Sequence, residues 1–243
     1  MTNNTLHSKQ FPEMEGFSAK TDCNVCKEAS KCFVRKLEKK EDFNNKNKFH
    51  ISYNKGETII KEGSHVSRIL YVIDGLVKIY IEGPDKNIII RLLKSDDFIE
   101  LTSLFGDDTY YFSATALKET VVCSIEPKDL KELMIHCCNF SRELSNWYCT
   151  NYNTMLSKCL NLGLRQLNGK LANVLLYLNR DEFKEIDIFS YISRKDLAEL
   201  SGMSQESVAR ILTEFSKENI IELKGKKIEI TNMEMLKMIN QKG

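Results

Sequence analysis

The chain has 243 residues, of which 42% are hydrophobic, and this is enough to bury the core of one large or two modest domains. Lys and Arg number 35 and Asp and Glu 34, so the global charge neither favours nor excludes a polyanionic partner, and any basic surface must be local. The chain starts without a charged head followed by an apolar stretch, and no apolar run approaches the roughly 18 residues that span a bilayer, which predicts a cytoplasmic protein.

Three of the eight cysteines lie close together near the amino terminus. Cys23, Cys26 and Cys32 have C-x2-C-x5-C spacing, which lets a short chain curl around one metal centre. In a reducing compartment such a cluster favours metal ligation over disulfides, so we interpret the three as ligands that need a fourth. Four scattered cysteines in helical-looking sequence are expected to be buried free thiols: Cys137, Cys138, Cys149 and Cys159.

From residue 49 the chain changes from a polar leader, residues 1–48, to short β-branched runs separated by turns that contain Gly and Asp. Many short strands at this spacing predict an antiparallel barrel or roll over residues 49–138, rather than a parallel sheet. The strands are predicted at residues 58–60, 69–73, 77–81, 88–93 and 120–125.

A helix start follows at Pro127, and a long segment without Gly or Pro covers residues 139–162. Along this segment five residues recur in alternating steps of four and three, which is the spacing of a coiled-coil seam. We predict a dimerisation helix over residues 139–163, and the alternative is a helix that packs on its own roll. The seam residues are Tyr148, Tyr152, Met155, Cys159 and Leu162.

The rest of the chain, residues 164–243, has the pattern of a helix-turn-helix. Ser193 can cap a first helix with Asp196 as its capping-box partner, Gly202 can make the turn, and Ser204 can cap a second helix. The alternative is an ordinary helical hairpin.

Two short strands then flank a cationic turn at residues 224–227, which predicts a β-hairpin wing. Asn232 can cap a closing helix over residues 233–240. The fold predicted for the whole chain is therefore α+β, with an antiparallel β-roll, a long dimerisation helix and a carboxy-terminal winged helix-turn-helix.

Several short motifs follow one another along the chain, first in the roll region and then in the last region. The roll region contains YNKGETI at residues 53–59 and LYVIDGLVK at residues 70–78. The last region contains ISRKDLA at residues 192–198, RIL at residues 210–212 and KGK at residues 224–226. In this order they resemble the cyclic-nucleotide-binding-like roll and the winged helix-turn-helix of the CRP/FNR family of bacterial transcription regulators, over nearly the full chain. The resemblance implies a DNA-binding regulator and not an enzyme.

Within that family the cysteine spacing is similar to that of the FNR branch, whose members hold an oxygen-labile 4Fe-4S cluster. The resemblance implies that Cys23, Cys26 and Cys32 are joined by Cys123, which lies in a predicted strand just before the short helix. Cationic residues surround the leader cysteines, and cations favour thiolates. Lysines follow the second cysteine and precede the third, where FNR members carry smaller or apolar residues, so the sensitivity to oxygen can differ.

The resemblance also bears on cyclic AMP. Relatives that bind it use a Gly-Glu pair and an Arg-Ser pair, because a buried phosphate requires a bidentate guanidinium. Here Phe112 stands where that arginine would be, and an aromatic ring cannot neutralise a phosphate. We therefore expect no cyclic AMP site in the roll.

The resemblance further implies a homodimer that presents two recognition helices to an inverted-repeat operator with TTGA- or TGTGA-like half-sites, and RNA polymerase as a partner. Arg210 can donate to guanine, Glu206 can accept from cytosine, and Gln205 can reach adenine. Ala209 replaces the serine that FNR-type proteins commonly carry before the arginine, which affects the flanking base preference. Phosphate contacts are expected from Ser204, Ser207, Lys226 and Lys227.

Other interpretations of the cysteines and the roll stay open. The cysteines can hold a structural zinc or act as redox thiols. The roll can bind haem or a small molecule for nitric oxide sensing, with His50, His65 and His136 as candidates. A thiol oxidoreductase is the least favoured class, because its C-x2-C motif belongs with a βαβ unit and none adjoins Cys23.

Overall fold

The computed structural model of the chain describes residues 17–20, 48–99, 101, 104–106 and 108–243, and the structural statements below refer to these residues. The amino-terminal part forms two four-stranded sheets, and the carboxy-terminal part is mostly helical. The strands of the two sheets are β1 (Phe17–Lys20), β2 (Phe49–Tyr53), β3 (Thr58–Ile60), β4 (Ile69–Asp74), β5 (Leu76–Ile81), β6 (Ile88–Lys94), β7 (Ser113–Ala116) and β8 (Thr120–Ile125).

The two sheets share one core and form the two sides of a roll. One sheet has the strand order β1-β2-β8-β4 and the other β3-β7-β5-β6, and all of these pairings are antiparallel. Both sheets contribute to an apolar cluster in which Val72, Val77, Leu93, Ala114 and Val122 are fully buried. The predicted antiparallel roll is confirmed.

Three strands of the roll, β1, β2 and β7, have no counterpart among the predicted strands. β1 lies in the leader, and β2 pairs with it through Phe17 to Ile51 and Lys20 to Phe49. β7 has the sequence SATA, and it is hydrogen-bonded on one side to β3 and on the other to β5. Pairing with neighbouring strands therefore overrides the weak strand propensity of β1 and β7.

Two helices follow the roll. Pro127 occupies the start of α1 (Pro127–His136), as predicted. α2 (Cys138–Leu164) has 27 residues and extends about 40 Å at 1.5 Å per residue. Its first turns pack on the roll through Phe140 and Leu144, which are buried. None of the described helices is both long and apolar enough to cross a membrane.

The expectation that the scattered cysteines are buried is wrong. Cys138, Cys149 and Cys159 are exposed, and Cys137 is half-buried. The buried residues of α2 are Phe140, Leu144 and Asn161, so most of this helix faces solvent in the single chain, and the three cysteines lie on that exposed surface.

The carboxy-terminal part forms a winged helix-turn-helix, as predicted. Asp196 N donates to Ser193 Oγ at 3.1 Å and Ser193 N donates to Asp196 Oδ2 at 2.9 Å, which is the predicted capping box. Gly202 has a φ of 69°, a conformation that favours glycine at this turn. The elements are α3 (Leu167–Leu178), α4 (Arg194–Ser201), α5 (Gln205–Lys217), β9 (Ile221–Lys224), β10 (Lys227–Ile230) and α6 (Met233–Lys242).

The roll and the winged helix-turn-helix pack directly against each other. Leu76 and Ile89 of the roll are fully buried in the same apolar cluster as Leu200 of α4. Leu92 N also donates to the hydroxyl of Tyr177, in α3, at 3.0 Å. The helix-turn-helix is therefore held against the β5 and β6 side of the roll.

Candidate DNA-binding surface and cysteine site

The second helix of the motif, α5, presents its polar face to solvent. Ser204 caps it, because Ser207 N donates to Ser204 Oγ at 3.1 Å, and Ser204 Oγ donates to Ser207 Oγ at 3.0 Å. Both hydroxyls that were predicted to contact phosphate are thus engaged in the cap. The residues that pack inward are Val208, Ile211, Leu212 and Phe215. Gln205, Glu206 and Arg210 are exposed on the outward side.

Arg210 is free to leave its one ion pair. Its side chain is 63% exposed, and Nη1 lies 3.9 Å from Glu214 Oε2. An exposed pair of this kind contributes about 0–1 kcal/mol, so a stronger acceptor can replace it. The planar fork of the guanidinium matches the two acceptors of guanine in the major groove.

The wing between β9 and β10 carries lysines of which two are already paired. Lys224 Nζ lies 2.7 Å from Glu229 Oε2, and Lys227 Nζ lies 2.7 Å from Asp187 Oδ2. Lys226 is exposed and forms no ion pair within the described residues. Lys226 is therefore the wing cation best placed for a phosphate, whereas Lys227 must first leave Asp187.

The start of α5 lies beside the roll. Lys86 Nζ, in the turn between β5 and β6, donates to the carbonyl of Gly202 at 2.6 Å. Residues 83–87 of this turn line a cleft together with Ser204 and Gln205. A duplex that contacts Ser204 and Gln205 would therefore approach the β5–β6 turn as well.

A buried ion-pair cluster joins the roll to α4. Lys78 Nζ lies 2.7 Å from Asp196 Oδ1 and 3.1 Å from Glu199 Oε2, and the three side chains are 14%, 8% and 4% exposed. Burial opposes the charge of Lys78, but its bonds to the two carboxylates outweigh burial and raise the pKa of Lys78. Burial likewise opposes ionisation of Asp196, and the bonds from Lys78 and Ser193 outweigh it, so the pKa of Asp196 is lowered. We call Lys78, Asp196 and Glu199 the interdomain clasp.

Cys123 lies in β8, between β2 and β4, and is 5% exposed. Arg68 is close enough to interact with it: burial lowers the pKa of Arg68, and the negative charges of Glu126, Asp129 and Cys123 oppose that effect. A cation in the neighbourhood favours the thiolate form of a cysteine, although the Arg68 guanidinium is itself bonded to Ser124 and paired with Glu126. Within the described part of the chain no three His, Cys, Asp or Glu residues come together as a metal site. A metal centre at Cys123 therefore needs ligands from the leader.

The other predicted ligands, Cys23, Cys26 and Cys32, lie outside the described residues. The strand that precedes them, β1, ends at Lys20, whose partner is the first residue of β2. β2 pairs in turn with β8, which carries Cys123. The chain therefore leaves the described part at the end of β1 and re-enters it just before β2, and β2 is the strand next to that of Cys123.

Two family models match this chain, one over the roll and the other over the winged helix-turn-helix. The model described as cyclic nucleotide-binding domain matches residues 50–137, and the model described as Crp-like helix-turn-helix domain matches residues 169–239. The chain belongs to the CRP/FNR family of transcription regulators.

Individual relatives agree with the family. The chain is 26% identical over 192 residues to the CRP-like cAMP-activated global transcriptional regulator of Mycobacterium tuberculosis, covering 76% of this chain and 85% of the relative. It is 27% identical over 184 residues to the transcriptional activator protein FnrA of Stutzerimonas stutzeri, covering 72% of this chain and 74% of the relative. The fold is similar to that of FixK2 from Bradyrhizobium japonicum, with a TM-score of 0.68 and 20% identity over 80% of this chain and 98% of that one. The first two of these relatives are named as transcription regulators, which are not enzymes.

CRP/FNR regulators act as dimers, and the predicted dimer seam lies in α2. Some seam residues contact their own chain, and others are exposed to solvent. The hydroxyl of Tyr148 donates to the carbonyl of Leu101 in its own roll at 2.7 Å. Leu162 contacts the turn at Gly202 so closely that a Cβ there would lie 2.6 Å from its Cδ2. The seam residues that remain exposed are Tyr152, Met155 and Cys159.

Three more exposed apolar residues of α2 were not predicted as part of the seam. They are Leu156, Leu160 and Leu164, which are 45%, 52% and 78% exposed. Together with Tyr152 they recur every four residues, and this spacing is the signal by which the sequence could have revealed them. We call Tyr152, Met155, Leu156, Leu160 and Leu164 the α2 stripe.

In the roll, the residues at the family's cyclic-nucleotide positions are engaged within the chain. Phe112 packs against the core beside Tyr110, with ring centroids 5.9 Å apart. Ser113 Oγ donates to Glu82 Oε1 at 2.6 Å and accepts from Glu62 N at 3.0 Å. A cyclic phosphate would have to displace these bonds.

Proposed function

We propose that this chain is a homodimeric CRP/FNR-type regulator whose operator binding is switched by a 4Fe-4S cluster held by Cys23, Cys26, Cys32 and Cys123. The observation that carries the proposal is the position of Cys123, which is buried in β8 next to β2, the strand that follows the cysteine-bearing segment and pairs with β1, the strand that precedes that segment. A bound cluster would supply redox chemistry that a single buried thiol lacks.

The covalent chain is long enough to bring Cys23 to Cys123. Lys20 pairs with Phe49 and Phe49 with Ser124, so Lys20 and Ser124 lie two strand spacings apart, about 10 Å. Cys23 comes three residues after Lys20 in the sequence, and three residues span up to about 10 Å. Ligation therefore requires no separation of the strands.

The apolar cluster around Cys123 connects the proposed centre with the helices. Cys123 shares this cluster with Leu130 and Leu133 of α1 and with Phe140 and Leu144 of α2. Because cores are close-packed, a displacement at one residue is passed to its neighbours. We expect a change in what Cys123 binds to shift the start of α2, the helix that we assign to the dimer.

The α2 stripe is assigned to the second copy of the homodimer. Two copies would present two α5 helices, which suits an inverted-repeat operator with half-sites one DNA turn apart. RNA polymerase is the further partner that we propose.

Cyclic AMP is not the effector in this proposal, although several relatives are named as cAMP-activated regulators. Position 112 offers a phenyl ring where a phosphate needs a guanidinium, and the Ser113 hydroxyl is already bonded to Glu82.

Arg210→Ala is expected to weaken operator binding by about 1–3 kcal/mol and to relax discrimination at one base pair, because Arg210 is assigned to a guanine. The measurement is a fluorescence anisotropy titration, at fixed salt, against duplexes with each base at the contacted position. The control, Lys226→Ala, should weaken binding to all sequences alike. If Arg210→Ala also weakened all sequences alike, Arg210 would be a phosphate contact.

Protein purified without oxygen is expected to contain iron and acid-labile sulfide and to absorb visible light, and Cys123→Ser should lose all three properties. Exposure to air should then remove the absorbance together with dimerisation and operator binding. Cys149→Ser is the matched control, since Cys149 is an exposed thiol on α2. Added cyclic AMP should change none of these results.

Full operator affinity after loss of the cluster would overturn the switch. A colourless protein with bound zinc would show a structural metal site instead, and metal-free protein whose cysteines form disulfides in air would show redox thiols.

A further inference from the structure

A cavity of about 560 Å³ lies where α2, α3, α4 and α6 meet, apart from Cys123 and from the outward face of α5. This volume is typical of small-molecule sites. Three of the side chains that line it are cationic, namely Lys158, Arg165 and Arg180, and none of the residues that line it is Asp or Glu. The cavity wall therefore carries cations and no carboxylate, although Arg180 is paired outside the wall with Glu182 at 3.7 Å.

Lys158 brings a half-buried charge to this cavity. Its ammonium group donates to the carbonyl of Leu200, and it forms no ion pair within the described part of the chain. Burial lowers the pKa of Lys158 to about 8. A buried cation without a counter-ion costs free energy, and an anion in the cavity would remove that cost.

Two other groups of the cavity wall have unused hydrogen-bonding capacity. Arg165 Nε donates to the carbonyl and to Oδ1 of Asn240 at 3.1 and 3.0 Å, which holds the guanidinium in place, while its terminal nitrogens make no hydrogen bond to the described residues. Asn161 is 1% exposed, and its Oδ1 has no hydrogen-bond partner. A ligand hydroxyl could satisfy this buried acceptor.

We propose that this cavity binds a small phosphorylated metabolite that also carries hydroxyl groups. Lys158 offers a point charge and Arg165 a planar fork to the phosphate oxygens. Arg180, which is 56% exposed, adds a third cation that must first leave its exposed pair with Glu182. Asn161 accepts from a hydroxyl of the ligand. The proposal is independent of the cysteines.

Binding would reach the DNA-binding motif through Lys158. Leu200, whose carbonyl accepts from Lys158, lies in the last turn of α4, just before the turn at Gly202. A phosphate that takes over Lys158 releases this link between α2 and α4. We therefore expect the ligand to change operator affinity as well as to bind.

The test is isothermal titration calorimetry of the full chain with inorganic phosphate, pyrophosphate and ribose 5-phosphate at constant ionic strength, with ribose as the uncharged control. Cys123→Ser protein is used, so that failure of the cluster proposal cannot affect the result. Ribose 5-phosphate should bind saturably and ribose should not. Lys158→Met and Arg165→Gln should each weaken binding by about tenfold or more, the loss of one charge-assisted hydrogen bond. Arg142→Gln removes an exposed arginine of the same helix outside the cavity and should change nothing.

Proton uptake separates a role of Lys158 in binding from a loss of folding. With a pKa of about 8, Lys158 is mostly neutral at about pH 9, so an anion that binds it should draw a proton from the buffer. Arginine side chains do not lose their proton in proteins, and burial raises the pKa of Tyr177, which also lines the cavity, to about 12. In the Cys123→Ser protein, the heat of binding should depend on the ionisation enthalpy of the buffer. In the double variant that also carries Lys158→Met, this dependence should be absent.

Absence of saturable binding by all three phosphates would overturn the proposal. Undiminished binding in both Lys158→Met and Arg165→Gln would overturn it as well, because the phosphate would then lie elsewhere.

Discussion

Lys78→Met is expected to destabilise the protein by about 3–5 kcal/mol, because it leaves two buried carboxylates without their cation. The side chains of Asp196 and Glu199 are 8% and 4% exposed, so water can replace Lys78 only if α4 moves away from the roll. Urea unfolding measures the loss of stability, and hydrogen exchange locates it. The expected result is a lower midpoint together with faster exchange in α4.

Acid should act on the same clasp. Although burial opposes ionisation of Asp196, its bonds with Lys78 and Ser193 lower its pKa below the ordinary value of 3.8. Such a carboxyl contributes stability that is present above its unfolded pKa and is lost as the pH falls through its folded pKa. Lys78, whose pKa is raised above 10.5, contributes stability that is lost only as the pH rises through that raised value. The clasp should therefore hold at neutral pH and weaken below about pH 4, and Lys78→Met should remove this acid step from the stability profile.

Lys195→Met is the matched control for the clasp. Lys195 Nζ lies 3.8 Å from Glu199 Oε1, but its side chain is 65% exposed. Its loss should cost no more than about 1 kcal/mol, since exposed pairs are screened by water. Equal losses for Lys78→Met and Lys195→Met would show that burial adds nothing to the clasp.

Tyr152→Asp is expected to make the protein monomeric and to lower operator affinity by about a hundredfold or more, because two linked recognition helices bind far more tightly than one. Tyr152 is 65% exposed in the single chain, so the substitution spares the fold of the chain. At a two-fold interface the new aspartate would face its own copy and lose hydration. Sedimentation equilibrium reports the dimer, and anisotropy titration reports the operator affinity.

Tyr111→Asp controls for the loss of an exposed tyrosine. Tyr111 lies before β7 in the roll and is 64% exposed, nearly the same as Tyr152. This substitution should leave both the dimer and the operator affinity unchanged. If Tyr152→Asp protein remained dimeric, with an unchanged melting curve, the interface would lie outside the α2 stripe.

The sequence by itself determined the helix starts, caps and turns, because each depends on residues only a few positions apart in the chain. Pro127 starts α1, Ser193 and Asp196 close the capping box of α4, Gly202 makes the turn, and Ser204 caps α5, all as predicted. Each of these depends on backbone geometry within about four residues, so a local pattern is sufficient to predict it.

The helical period of the apolar residues predicted the helix α2, but it did not predict which side chains are buried or what they contact. Tyr148 is bonded to its own roll, whereas Tyr152 faces solvent, although both stand at seam positions. Cys149 was expected to be buried and is exposed. A period shows which residues share a side of the helix, and only packing shows what that side meets.

Tertiary structure alone decided the contacts between distant parts of the chain. The clasp joins Lys78 and Asp196, which are 118 residues apart and which the sequence did not connect. β1 is a strand because β2 offers it an edge, and this pairing places Lys20, three residues before Cys23, two strands away from Cys123 in the same sheet. Caps and turns follow from local geometry, whereas register and burial depend on which surfaces meet in the folded chain, and no short pattern encodes that.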